Sequence, residues 1–338
     1  MSTHRRRVTL KDVAARAGVS LMTASYAFTR PGRVADATRE RVRRAAAELG
    51  YRPDAVGRAL RSGRTRQLGM VFSEHLTYAF DDPQAARFLA GVAEVCVEED
   101  HGLTFLPTRG DAADADRVLS AAVDAFVLWT TAEDDPVLAA VAEDPRPAVI
   151  QGGPARDGIA CVTQDDYEAA RAVAAHGLRD GRAPAVIAFP LDRGREPLVG
   201  TGADLPARVP FPVTEARLRG YRAAVEAAGL SWADVPVAVV ARNSRHDGAA
   251  AARELAGRLS PRPLVIAMSD ELALGARQAL GETRPDAGYL GWDASPEGRL
   301  AGFTSVTNPL RDQGRRCARL ALHPGTAGDR DIPWSITP

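Results

Sequence analysis

From Gln67 onward the chain alternates short apolar runs with alanine-rich amphipathic stretches, and that alternation leaves few folds open. The runs are LGMVF, LTFLP, AFVLW and AVIQGG, then AVIAFP, VAVVA, PLVIAMS and GYLGW; helical periodicity lies near 84–99, 114–123, 166–178, 214–228, 247–258 and 270–280. Runs of this kind, each followed by a helix, build parallel sheets wrapped by helices. At 338 residues, 45% of them apolar, the chain exceeds one ordinary core, and two linked, doubly wound α/β lobes suit the length of this stretch. The Pro-, Gly- and Arg-rich stretch 190–212 reads as an exposed loop, and no repeat of fixed period is visible.

The front of the chain has another texture. The formal net charge is zero, yet residues 1–66 carry 16 Lys and Arg against five Asp and Glu, about +11, which leaves about −11 on the remainder. A basic arm on an acidic body suits phosphate binding, a feature the neutral average conceals.

Residues 8–50 read as three short helices. Thr9 can cap the first, whose apolar members Leu10, Val13, Ala14 and Ala17 recur at helical spacing. Gly18-Val19-Ser20 is a tight connector: Gly takes the left-handed conformation at a helix end, and Ser20 can cap the next helix, Leu21 to Phe28. Two helices so joined form a helix-turn-helix. After Pro31-Gly32 a third helix, roughly Asp36 to Leu49, puts Val42, Ala45, Ala46 and Leu49 on one face and arginines largely on the others. The segment YRPDAVGRALRSGRTR at 51–66 is a basic linker with a short helical possibility from Pro53 to Leu60. At eight residues it falls below the ~12–15 needed for marginal stability, so it requires a partner.

Cys96, Cys161 and Cys317 show no paired spacing for zinc or redox chemistry, and an odd count closes no disulfide framework. No apolar run approaches the ~18 residues of a membrane span, and no signal-type stretch follows Arg5-Arg6-Arg7. The expectation is a cytoplasmic, nucleoid-associated protein with no cofactor, no metal and no membrane partner.

The strings TLKDVAARAGVS, TRERVRRAAAELGYRPDAVGRALRSGRT, RLRGYRAAVEAAGL, SDELALGARQAL, GYLGWD and FTSVTNPL, in this order, resemble the lac repressor (LacI/GalR) family of transcriptional regulators. The resemblance implies an all-α helix-turn-helix headpiece on an α/β periplasmic-binding-protein-like core of two doubly wound parallel-sheet lobes, joined by three crossing strands around an effector cleft. The expected domains are the headpiece at 1–52, a hinge helix and linker at 53–66, one lobe at 67–164 plus 309–323, and the other at 165–308 plus 324–338. The family works as homodimers on roughly palindromic double-stranded DNA operators, and a small polar effector, a sugar or nucleoside-like molecule, shifts the lobes. Repression is the family default.

By the family pattern Leu21, Met22 and Tyr26 face the major groove, where apolar atoms sense a thymine methyl and Tyr can hydrogen-bond. The alternative is that Leu21 or Met22 belongs to the headpiece core. Ser20, Thr23 and Ser25 offer hydroxyls to phosphate, or simply cap, and Thr9 and Arg33 complete the expected contacts of the headpiece. In the hinge, Leu60 stands where related proteins wedge a leucine into the minor groove, with Arg58 alongside, and such a wedge unstacks and bends the duplex. In the core, Arg217 and Asp293 align with effector-binding positions, where a guanidinium and a carboxylate hold polar ligands in fixed geometry. Asp270 either contacts ligand or caps its helix. Gln84, Asp165 and Asn243 complete the expected cleft.

Rival readings differ in class. An enzyme on a doubly wound sheet lacks support, since GxGxxG after the first strand, GxxxxGK[ST], GxSxG and HExxH are all missing. A transport sugar-binding protein would carry an export signal in place of a basic headpiece. A regulator with a vestigial cleft, independent of effector or governed by a protein partner, stays open.

Overall fold

The computed structural model describes residues 8–52, 63–72, 80–109, 111–325 and 331–337. It divides into one unit ending at Thr65 and a second beginning at Arg66.

The first unit holds α1 (Leu10–Ala17), α2 (Leu21–Thr29) and α3 (Asp36–Leu49). Thr9 and Asp12 form a reciprocal capping box: the Thr9 backbone N–H donates to Asp12 Oδ2 at 2.8 Å, while the Asp12 N–H reaches Thr9 Oγ1 at 3.4 Å. Gly18 then turns left-handed at φ 64°, and Ser20 Oγ accepts the Thr23 N–H at 3.0 Å, so the connector read from Gly18-Val19-Ser20 is present. Val13, Ala14, Ala24, Ala27, Val42, Ala45 and Ala46 form the core. Mostly small side chains let three short helices approach closely, and Phe28 packs on Tyr51 at the edge with ring centroids 6.0 Å apart. Arg58 and Leu60 of the expected hinge lie outside the described residues.

The second unit contains two sheets. In the first, β1 (Gln67–Phe72), β2 (Gly102–Pro107), β3 (Ala125–Leu128), β4 (Ala148–Gln151) and β5 (Ile159–Val162) pair in the order β2-β1-β3-β4-β5, all parallel. Its helices are α4 (Pro83–Glu98), α5 (Ala112–Leu119) and α6 (Pro136–Glu143). The second sheet runs β12-β11-β10-β9-β6-β8-β7, with β6 (Ala183–Ala188), β7 (Leu198–Thr201), β8 (Pro236–Val239), β9 (Pro263–Ala267), β10 (Gly288–Asp293), β11 (Thr304–Thr307) and β12 (Ile336–Thr337). Around it pack α7 (Asp166–Leu178), α8 (Pro212–Ala227), α9 (Arg245–Leu255), α10 (Asp270–Leu280) and α11 (Pro296–Leu300).

The last long helix, α12 (Leu310–Leu322), returns to the first sheet, where Leu310, Cys317, Ala318 and Ala321 join its core. The chain therefore crosses between lobes after β5, after β11, and again between Ile332, buried with the first sheet, and β12 in the second.

Two features depart from the all-parallel expectation. The second sheet is mixed, because β7 and β12 run antiparallel at its two edges. The stretch 190–212, read as loop, contains β7: Val199 and Gly200 pair with Ala238 and Val237, which covers one edge of the sheet. Where helices cross, glycine sets the spacing. A Cβ on Gly91 of α4 would sit 1.9 Å from the Arg311 carbonyl of α12, and one on Gly314 would sit 2.2 Å from the Phe88 carbonyl.

Candidate DNA-reading face and ligand cleft

On α2, Ala24 and Ala27 turn into the headpiece core, which leaves Leu21 and Met22 on the opposite side, 53% and 64% exposed. Neither joins the core cluster, so the alternative that buried them is set aside. Ser25 and Tyr26 are half-buried beside them, with the Arg30 guanidinium 5.7 Å from the Tyr26 ring centroid, and Arg33 is exposed. Ser20 and Thr23 share a hydroxyl contact of 2.8 Å, and Thr9 is engaged with Asp12. Capping is the role visible for these three hydroxyls, and capping leaves the first N–H groups of α2 at an exposed, positively polarised helix end.

In the core a cleft of about 880 Å³, solvent at its mouth included, lies between the two sheets. Asp82, Gln84, Trp129, Thr130 and Gln151 line it from the first lobe; Phe189, Arg195, Phe211, Arg217, Asn243 and Asp293 line it from the second; Gln164 and Asn308 come from the crossing segments. Strand and helix ends place them. Asp293 closes β10, Gln151 closes β4, and Asp82 caps α4 by accepting the Gln84 N–H at 2.9 Å. This is where open α/β sheets hold ligands.

Arg217 is the electrostatic anchor. Its Nε donates to Asp166 Oδ1 at 2.8 Å, Nη1 donates to the Met268 carbonyl at 2.6 Å, and the guanidinium carbon lies 3.7 Å from the Trp292 ring centroid. Burial pushes the Asp166 carboxyl up from its ordinary pKa, while the Arg217 charge opposes that shift. Asp293 is pushed well above the usual aspartate range, chiefly by burial and then by the charge of Asp270, against Arg217 and the Asn308 hydrogen bond. Its backbone φ is 111°, a conformation that side chains other than glycine rarely adopt.

A direct bond crosses the cleft. Asn243 Nδ2 of the second lobe reaches Asp82 Oδ1 of the first at 3.3 Å, while Asn243 Oδ1 accepts from Ser269 Oγ. Several buried polar atoms here have no hydrogen-bond partner among the described residues: Gln84 Oε1, Gln151 Oε1, Gln164 Oε1 and Nε2, and Asp293 Oδ2. Each such group costs about 1–3 kcal/mol, so five of them converging on one cleft, four of them oxygens, mark a surface shaped for a polar ligand.

Of the residues expected in the cleft, Gln84, Arg217, Asn243 and Asp293 line it together. Asp165 does not; it is exposed and caps α7, accepting the Glu168 N–H at 2.9 Å, while its neighbour Asp166 turns inward to Arg217. Asp270 does not line it either. Its carboxylate is fully buried and accepts from the Ser295 N–H at 2.6 Å and from Ser305 Oγ at 2.8 Å, and the cap of α10 is Ser269. Trp292 is fully buried beneath Arg217. Sequence reasoning missed Asp82, Trp129, Gln164, Asp166 and Asn308. Gln151, read only as part of the apolar run AVIQGG, is a lining residue too.

A helix-turn-helix unit followed by a two-lobed, periplasmic-binding-protein-like core defines a DNA-binding transcriptional regulator. Residues 9–54 match the bacterial regulatory proteins of the lacI family, and residues 67–284 match the periplasmic binding proteins and sugar binding domain of the LacI family. The chain belongs to the LacI family. An HTH-type transcriptional regulator from Mycobacterium tuberculosis is 35% identical over 340 residues, 96% of this chain and 93% of the relative. The solved complex of the transcriptional regulator CelR with cellobiose is 28% identical with a TM-score of 0.66, covering 98% of both chains. The lac repressor dimer bound to operator and the anti-inducer ONPF shares the fold, with a TM-score of 0.77 at 19% identity and 98% coverage of both chains. These relatives are regulators, and the enzyme reading falls with them. No helix among the described residues is long and apolar enough to cross a membrane.

Proposed function

We propose that the protein represses transcription as a homodimer on a roughly palindromic duplex, and that an uncharged polyhydroxylated ligand, a sugar or nucleoside-like molecule, occupies the cleft and alters operator affinity. The observation that carries the ligand reading is the set of unpartnered polar atoms, Gln84 Oε1, Gln151 Oε1, Gln164 Oε1 and Nε2, and Asp293 Oδ2, around one cleft. A hydroxyl can donate to the amide oxygens and accept from Gln164 Nε2, whereas a phosphate or carboxylate oxygen only accepts. Trp129, Phe189 and Phe211 supply apolar faces for the C–H side of a sugar ring. CelR, solved with cellobiose, supports this ligand class.

Leu21, Met22 and Tyr26 read base edges in this proposal, with Thr9, Ser20, Thr23, Ser25 and Arg33 at the backbone. The family pattern adds Arg58 and Leu60. Two headpieces on one dimer raise each other's effective concentration on the two half-sites. Such a protein works in the cytoplasm, on the nucleoid. The test is to select duplexes from a random pool with the full chain, then titrate the best one by anisotropy with and without ribose, cellobiose or adenosine. A preferred inverted repeat whose affinity shifts with one ligand is expected; no preference over scrambled competitor overturns the proposal.

A further inference from the structure

Gln313 interrupts an otherwise apolar face. Around it on α12, Leu310, Cys317, Ala318 and Ala321 pack into the first lobe, yet Gln313 is only 1% exposed. A buried amide is tolerated when both its ends are bonded. Here they are: Gln151 Nε2 donates to Gln313 Oε1 at 3.0 Å, and Gln313 Nε2 donates to Asn308 Oδ1 at 2.8 Å. Asn308 Nδ2 then donates to Asp293 Oδ1 at 3.1 Å. The three bonds form one chain that starts at the end of β4 in the first lobe, passes through α12 and a crossing segment, and ends on β10 in the second lobe.

The chain has a single direction. Asp293 Oδ1 accepts from Asn308 Nδ2, with any carboxyl proton on Oδ2, and this aims the Asn308 carbonyl at Gln313. The same constraint then orients Gln313 and finally Gln151. Reversing any one amide would set NH2 against NH2 or oxygen against oxygen. Both termini present an unpartnered oxygen, Gln151 Oε1 on one lobe and Asp293 Oδ2 on the other, the latter a donor while the carboxyl holds its proton and an acceptor once it is ionised, and both residues line the cleft.

We propose that Gln313 and Asn308 are positioning residues that impose this polarity, so that the cleft meets its ligand with the Gln151 carbonyl oxygen on one lobe and the Asp293 carboxyl on the other. Gln313 is outside the cleft lining and acts only through its neighbours. The inference rests on the ligand reading above and adds the device that sets donor against acceptor. It also ties ligand occupancy to a crossing segment, because Asn308 sits in one.

The experiment uses the full chain with Gln313→Met, similar in length but without the amide. In ligand-free protein, hydrogen exchange of the side-chain amides of Gln151 and Asn308 is followed by NMR. In the wild type these protons are protected, and Gln313→Met accelerates those of Gln151, whose acceptor is gone, by roughly five- to tenfold, as the loss of one neutral hydrogen bond predicts, while those of Asn308 stay bonded to Asp293 Oδ1 and change less. Unchanged exchange at Gln151 in a folded Gln313→Met variant overturns the proposal. Should that variant not fold, Asn308→Leu removes the acceptor of the Gln313 amide protons and must loosen them; no loosening there overturns it equally. Because these readouts need no ligand, failure of ribose, cellobiose and adenosine to bind would sink the ligand reading without imitating failure of the chain. With a saccharide that does bind, Gln151→Met and Gln313→Met must be non-additive in affinity, whereas strict additivity counts against a shared device.

Discussion

Arg217 is clamped between Trp292 and Asp166, its guanidinium carbon 3.7 Å from the indole centroid and its Nε 2.8 Å from the carboxylate. The two charged side chains are 6% and 8% exposed, so neither charge has water to fall back on. Arg217→Ala strands Asp166 as a buried, unpaired carboxylate. The expected loss is about 3–5 kcal/mol, read as a shift of the urea midpoint. A double change that also replaces Asp166 with Asn should recover part of that loss, because the stranded charge goes with it. A single variant as stable as wild type would mean that the pair contributes little.

The raised pKa of Asp293 sets the sign of a pH effect. The native carboxyl holds its proton over a pH range in which the unfolded chain has already lost it, so stability from this group is fully present below the unfolded pKa and is lost as pH rises through the folded one. Asp293→Asn, which cannot ionise, should therefore gain on wild type as pH climbs from about 4 toward neutrality. Urea unfolding at a series of pH values measures the gap. A gap that narrows with rising pH contradicts the assignment.

The exposed apolar pair on α2 separates folding from recognition. Leu21→Ala and Met22→Ala remove side chains that are 53% and 64% exposed, so headpiece stability should change by no more than ~0.5 kcal/mol. Discrimination between the selected duplex and a scrambled one should fall by about 1–3 kcal/mol if either reads a base. Equal weakening on both duplexes assigns the residue to non-specific contact instead.

The crossing of α4 and α12 predicts intolerance to a single methyl. Gly91→Ala would press Cβ to 1.9 Å from a backbone carbonyl, a contact that no rotamer relieves. Overpacking of this kind costs typically ~1–3 kcal/mol, and rigid backbone on both sides puts this site at the upper end. Thermal unfolding of Gly91→Ala against Gly257→Ala, where an added Cβ meets nothing within 4 Å, checks it.

How far the sequence foretold this molecule depends on whether local chemistry decides the outcome. Gly18, Ser20 and the apolar spacing of Val13 and Ala14 act within a few residues of themselves, and the helix-turn-helix was legible from them. The strand β7 was not, because a short edge strand in a Pro- and Gly-rich stretch carries no internal periodicity and is defined by its partner β8. In the cleft, Asp165 and Asp166 illustrate the limit. Adjacent positions on a helix differ by about 100° of rotation, so one aspartate caps α7 in solvent and the next meets Arg217 inside; only the packed structure tells them apart. Asp270 followed the same logic, its carboxylate spent on Ser295 and Ser305 behind the strand ends.

The Asn243–Asp82 contact bears on kinetics. It ties facing lobes across the cleft with protein atoms alone, so any parting of the two halves must first break it. Where capture or release needs that parting, weakening the bond should quicken association and dissociation together while leaving their ratio far less altered.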